Sequence, residues 1–551
     1  MLRIAGGEVY DPMNGVNGEI RDIWIRDGRV VDPPPGPPGA REEPVRTIDA
    51  RGMVVMPGGV DMHAHIAGPK VNLARKMFPE YHRRGRPMPR TACTRSGIAS
   101  VVPPTFATGY LYAGLGYTTA VDAAVIPMGA RHTHEEFADT PVIDKLGFIL
   151  MGNNEFVLDR LAEGRHDRVR DFAAWLLGAA KGAAIKIVNP GGTEAWKFGG
   201  NVKVLDEPLA PYGVSARQIL TGLARAGNEL GLPHPVHVHA NNLGVPGNWE
   251  TTLATMEALS GLRAHLTHVQ FHSYGGTDYH DMASAVPRLV EYVDTHPELS
   301  VDVGQVVFGP AATMTADSPW QYLLYRLTGH KWSNEDVEVE SGCGVVPYEY
   351  KDKSYVNTLQ WAIGLEWLLL ARDPWRIALT TDHPNGGAFT AYPQIIRLLM
   401  DREARREAMR QVNPRALRRS HLPELDREYS LYEIAIITRA APARLLGLTR
   451  KGHLGPGADA DVAIYARNPD IEAMFANPRY VIKDGEVVVE DGEIRASPQG
   501  RTFYVAPSYD PEVLAEIREH FDRYYTVRFE NYPVDLHTLP RPEVIPCSSR
   551  A

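Results

Sequence analysis

The chain has 551 residues, 44% of them hydrophobic and 23% charged, the balance of a folded globular protein rather than a disordered chain. A formal net charge of −9 gives no overall electrostatic reason to bind nucleic acid or an anionic membrane. The three cysteines, Cys93, Cys343 and Cys547, form no CxxC, so nothing here builds an iron–sulfur cluster or a redox dithiol.

The first residues, MLRIAGGEVYDP, lack the charged-then-apolar pattern of a signal peptide. No apolar run approaches the roughly 20 residues of a membrane span, so the expected location is cytoplasmic, with neither membrane nor nucleic acid as partner. Arginine far outnumbers lysine, unlike the Lys/Glu-rich hyperthermophile pattern, which points to a mesophilic, GC-rich bacterium.

Residues 1–55 read as short strands with turn signals, EIRDIWIRDGRVVD carrying an Asp-Gly hairpin turn, followed by a PPPGPPGARE loop. An apolar run, VVM, then stops at PGG, and DMHAH follows. If these residues end a strand, His63 and His65 project to the same side. Taken alone the pair is equally a strand end facing solvent or a metal site.

From residue 117 onward, strand-like runs alternate with helical ones. YTTAVDAAV, KLGFILMG, AAIKIVNP, PVHVHANN, HLTHVQFH, LSVDVGQVVF and RIALTTDHP are the strands; RDFAAWLLGAA, SARQILTGLARAGNEL and YVNTLQWAIGLEWLLLA are among the helices. With the opening VVMPGGV, the alternation predicts parallel strands joined by crossovers and an α/β (β/α)₈ TIM-like barrel over 56–445. A doubly wound open sheet is the alternative, without the GxGxxG that would support it. The texture of the N-terminus returns at 446–505, in GADADVAIYARN and RYVIKDGEVVVEDGEI. The segments 1–55 and 446–505 therefore predict one small β-sandwich domain built from both ends, with 506–551 a tail available for subunit contacts. The long intervals 66–116 and 311–355 are expected to build substrate sites or contacts.

Four further strand ends carry polar groups: His237 and His239, His268 and His272, Lys186 and Asp382. In a barrel such ends converge on one mouth, and their joint occurrence predicts a metal centre. Imidazole and carboxylate ligands without thiolate suit Zn²⁺ best, with Mn²⁺, Fe²⁺ and Co²⁺ also compatible. Lys186, between Ile185 and Ile187, leaves two readings open. Burial favours a neutral amine able to add CO₂ and bridge two cations as a carbamate; alternatively the ammonium pairs with a carboxylate such as Glu194.

The HxH, Lys, His, His, Asp order resembles the amidohydrolase superfamily, and KGHLGPGADADVAIY resembles its return into the β-domain. AIKIVNPGGTEAWKFG, VHVHANNLGVPGNWETT, LTHVQFHSYGG and TTDHPNGG are similar to the alpha subunit of formylmethanofuran dehydrogenase, a family that includes the bacterial formyltransferase/hydrolase complex. The likeness covers nearly the whole chain, and the arginine-rich composition favours the bacterial member.

The resemblance implies that His63, His65 and Asp382 hold one metal, that His239 and His268 hold the other, and that carboxylated Lys186 bridges the two, Zn²⁺ being the expected ion. His237 and His272 match no ligand position. It also implies metal-dependent hydrolysis of a formamide, formyl-methanofuran or a bacterial analogue, to formate and free amine inside a multi-subunit complex. Asp382 would relay the proton. Rival readings are a cyclic-amide hydrolase resembling dihydropyrimidinase, a non-catalytic scaffold of the same fold, and a metal-free barrel isomerase. Arg83, Arg84 and Arg86, with Arg75, Lys76, Arg90 and Arg95, crowd the first insertion. They are either solvated or a site for the carrier's carboxylate tail. Asn241, in VHVHANN, is a further candidate substrate contact.

Overall fold

The computed structural model describes residues 1–34, 45–337 and 340–548; most of the Pro-Gly loop lies outside them. Eight strands form the barrel wall: β1 (Gly59–Ala64), β2 (Tyr117–Val125), β3 (Asp144–Leu150), β4 (Ala184–Val188), β5 (Val236–His239), β6 (Ala264–Leu266), β7 (Leu299–Asp302) and β8 (Ile377–Ala378). Each pairs in parallel with the next. The ring closes where Ala64 bridges His383 and the His65 N–H donates to the His383 carbonyl at 2.6 Å. Closure sets aside the open doubly wound sheet. β2 and β3 are buried along their whole length, as strands covered on both faces must be.

The expected helices form over His166–Ala180, Ala216–Glu229 and Tyr355–Leu370. Ser215 starts the second with a reciprocal capping box to Gln218. In the third, nearly every residue from Asn357 to Leu369 is buried.

The two chain ends share one nine-stranded sheet, in which Met53–Pro57 lies between Leu2–Asp11 and Val462–Ala466. Its core joins Ile4, Ile25 and Val55 to Val462, Ile464 and Ile482. The apolar VVM run therefore belongs to this sheet and not to the barrel; the first barrel strand is the GVDMHA segment itself. The chain crosses at Gly58 and Gly59, where a Cβ would lie 2.3 Å from Thr118 Oγ1 and 2.6 Å from the Tyr117 ring. Only glycine permits so close a passage.

The first long insertion folds into two short helices, Pro69–Met77 and Pro79–Arg84, a small hairpin and the helix Thr105–Gly114. The second forms an antiparallel sheet on Gly309–Thr315 and Glu340–Tyr350, with the helix Ser318–Thr328 between. The insertions pack on each other through Val71, Phe78, Met314 and Val345. The C-terminal segment lies on the chain's own barrel: Thr502–Tyr504 pairs with the start of β3, and Glu516 on the helix Val513–Tyr524 pairs with Arg160, Arg165 and Arg168. Among the described residues, no helix is long and apolar enough to cross a membrane.

Candidate metal centre

The mouth of the barrel opens into a chamber of about 280 Å³, and His63, His65, Lys186, His239, His268 and Asp382 all line it. His63 is the penultimate residue of strand β1 and His65 lies just beyond its end; each places Nε2 beside Asp382 Oδ1, at 3.0 and 3.1 Å. Ligands bonded at about 2.0–2.1 Å to one tetrahedral cation stand roughly 3.3 Å apart, so each of these histidines has the spacing to Asp382 of two ligands on one ion. His63, His268 and Asp382 form one group able to hold a metal; His239, His268 and His272 form another.

Lys186 is buried and its Nζ makes no hydrogen bond. The salt bridge to Glu194 is absent, and Glu194 instead lies 2.8 Å from Lys197. Burial lowers the Lys186 amine to about 7, despite Asp302 and Asp382 nearby. Burial also holds His239 and His268 well below the usual imidazole value, so both are neutral rings with lone pairs to give. In His63 burial acts downward too, but the Asp302 and Asp382 carboxylates outweigh it. His63 and His268 hold Asp382 well below the carboxylate range against its burial. An unpartnered Lys, neutral imidazoles and an ionised carboxylate without thiolate make a nitrogen- and oxygen-donor set that fits divalent cations.

Backbone strain marks the same place. His268 and Asp382 have φ of 37° and 49°, unusual for residues with side chains. Gly304, at φ 64°, lies against both: a Cβ there would meet His268 Cβ at 2.4 Å and Asp382 Cβ at 3.4 Å.

Several supporting residues had no obvious signal. Asn385 donates to Asp382 Oδ1 at 2.8 Å and fixes the carboxylate. Behind His63, its Nδ1 lies 2.9 Å from His237 Nε2 and 3.4 Å from Asp302 Oδ2, and Thr267 also reaches it. A charge at the end of β7 was the available clue to Asp302. His237 thus backs His63, a candidate ligand, and does not itself line the chamber. His272 is buried with both ring nitrogens unbonded, 5.2 Å from His239 and from His268 by ring centroids. Asp317, from the second insertion, places Oδ2 3.3 Å from His239 Nε2. Burial raises its carboxyl to about 7, against hydrogen bonds from the Trp320 N–H and Asn189. A cation on His239 would favour the ionised form.

Asn241 does not line the chamber; its amide donates to Asn189 Oδ1 at 2.7 Å and to the Pro190 carbonyl. Arg83, Arg84 and Arg86 are exposed and also lie outside it, Arg84 and Arg86 lining a second cleft of about 420 Å³ beside Phe308 and Pro310. Arg75 and Arg95 are engaged internally, with Glu136 and Asp139.

A family model described as "Amidohydrolase family" matches residues 46–489. Protein FwdA of Methanocaldococcus jannaschii is 48% identical over 554 residues, covering 96% of each chain. The A component of the formyltransferase/hydrolase complex Fhc of Methylorubrum extorquens is 42% identical, covering 96% of this chain and 95% of that one. The crystal structure of the formyltransferase/hydrolase complex FhcABCD from Methylorubrum extorquens with methylofuran matches at a TM-score of 0.93 and 40% identity, over all of both chains. An archaeal and a bacterial relative are thus both close, and the likeness does not single out the bacterial one. Dihydropyrimidinase from Brevibacillus agri, at 16% identity and a TM-score of 0.50, shares the fold alone. The chain belongs to the amidohydrolase family, together with FwdA and the A component of the formyltransferase/hydrolase complex.

Proposed function

We propose that this protein hydrolyses the formamide of a formylated furan carrier, methanofuran or an analogue such as methylofuran, as the hydrolytic component of a multi-subunit complex. The observation that carries this reading is that six residues from five separated sequence segments line one chamber. His63, His65 and Asp382 would hold one divalent cation, His239 and His268 a second, and Lys186, carboxylated, would bridge them; Zn²⁺ suits the donors best. Such a pair supplies a nucleophilic oxygen at neutral pH, by lowering the pKa of water from about 15.7 to about 7, and a Lewis acid for the formyl oxygen.

The chain's own residues do the rest. Asp382, ionised and held by Asn385, takes the proton of the attacking water and passes it to the departing nitrogen. A C–O bond forms as the C–N bond breaks, so formamide and water become formate and an ammonium. Phe271, Trp320 and Tyr348 line the chamber and offer flat apolar surfaces to a furan ring. Arg83, Arg84 and Arg86 would hold carboxylates of the carrier's tail outside the chamber.

The test is to purify the protein with its native partners and offer it formylated carrier and hydantoin side by side. Formate release from the first without ring opening of the second is expected. Ring opening without formate release would replace this reading by that of a cyclic-amide hydrolase.

A further inference from the structure

Asp317 belongs to the second insertion, yet its side chain is buried against the metal centre. Its two oxygens have separate tasks. Oδ1 accepts from the Trp320 N–H at 3.1 Å, capping the helix Ser318–Thr328, and from Asn189 Nδ2 at 3.0 Å. Oδ2 faces His239 Nε2 at 3.3 Å, long for a hydrogen bond. A cap needs one oxygen, so the second is free for another purpose.

The insertion is fixed at this point. Thr193 donates through Oγ1 to the Ala316 carbonyl at 2.8 Å, and the Asn189 N–H donates to the His239 carbonyl at 3.0 Å. The same helix supplies Trp320, Leu324, Leu327 and Thr328 to the chamber wall. One carboxylate therefore touches a candidate metal ligand and begins a wall of the substrate chamber.

We propose that Asp317 is a positioning residue for the second cation, holding His239 with its proton on Nε2 so that Nδ1 is left to ligate. Because Oδ1 already takes two donors, Oδ2 is the oxygen left to accept, and an acceptor facing Nε2 selects the Nε2–H tautomer. Carboxylates that orient a ligating histidine in this way fix its ring and raise its basicity. The inference rests on the metal-centre reading above, and the unmodified protein tests that reading separately.

The experiment is a competitive chelator titration of both ions in the unmodified protein, Asp317→Ser and Asp317→Asn, with the Co²⁺-loaded visible spectrum as a second readout. Serine keeps the cap but is too short to reach His239; the second ion should bind about 10–100-fold more weakly. Asparagine keeps both the cap and the size. With Oδ1 engaged by Trp320 and Asn189, however, it presents an N–H to His239, which favours the tautomer with the proton on Nδ1. Asp317→Asn should therefore lose the second ion more severely than Asp317→Ser and perturb the Co²⁺ spectrum more, while the first ion stays bound. A purely structural role predicts the opposite order, because asparagine disturbs packing less. That order, or parental affinity for the second ion in Asp317→Asn, would overturn the proposal. If serine prevents folding, the asparagine comparison with the unmodified protein decides alone. Absence of a second ion from the unmodified protein would overturn the metal-centre reading and this inference together.

Discussion

Lys186 shows how far one residue could be read. Its place between Ile185 and Ile187 already required either a buried partner or a neutral amine, and the unbonded Nζ removes the partner. Lys186→Ala is expected to lose both metal and formate release, with partial recovery when a small carboxylate such as propionate is added. Lys186→Arg should not recover, because a permanent cation forms no carbamate; normal metal content in the arginine variant would make Lys186 a structural cation. Asp382→Asn should slow turnover by about 10²–10⁴-fold with modest metal loss, and a rate within a few-fold of the parent would remove Asp382 from proton transfer. Gly304 was invisible in the sequence, since its importance lies in a contact with His268 and Asp382 across the fold. Gly304→Ala should cost about 1–3 kcal/mol of stability through overpacking and displace His268. Melting and metal analysis of that variant check this together; unchanged metal content would contradict it.

At the scale of elements, legibility followed length and periodicity. The run YTTAVDAAV became β2 residue for residue, whereas β8 is only Ile377–Ala378 and had to be inferred from the polar end of its run. The VVM run was misplaced because apolarity alone does not tell which of two adjoining sheets a strand joins. The insertions could be located but not folded from sequence, because their packing depends on each other through Phe78, Met314 and Val345. Asp317 carried the signal of a helix cap and none of its approach to His239. The Arg84/Arg86 cleft is where the first insertion's charge can act. Replacing Arg83, Arg84 and Arg86 by neutral residues should raise KM for the full carrier and weaken its salt dependence, yet leave a tail-less formyl-furfurylamine unaffected. Equal loss on both substrates would assign these arginines to folding or assembly.

Across the whole molecule, the KGHLGPGADADVAIY string joins the parts. Its Lys451 lies 2.9 Å from Asp459 and 2.7 Å from Asp461, and it also pairs with Asp144 at the start of β3. Lys483 of the terminal sheet reaches Asp144 at 3.0 Å, and Arg501, just before the 506–551 tail, reaches Asp459 at 2.5 Å. Barrel and terminal sheet thus meet in one buried ionic cluster. Removing one partner leaves charges uncompensated, so Lys451→Met should cost about 3–5 kcal/mol in denaturant unfolding. Despite burial, Lys451 and Arg501 hold Asp459 down at about 2. Its contribution is therefore complete above the ordinary carboxylate value of about 4 and is lost as pH falls through about 2. Stability should fall steeply over that window, and less steeply in Lys451→Met.

The most direct measurement of the central claim strips the protein of metal, then restores Zn²⁺ stepwise in bicarbonate buffer while formate release from formylated carrier is followed. The account predicts no release from the stripped protein and a rise that saturates near two ions per chain. Full release without metal, or saturation with a single ion, would contradict it.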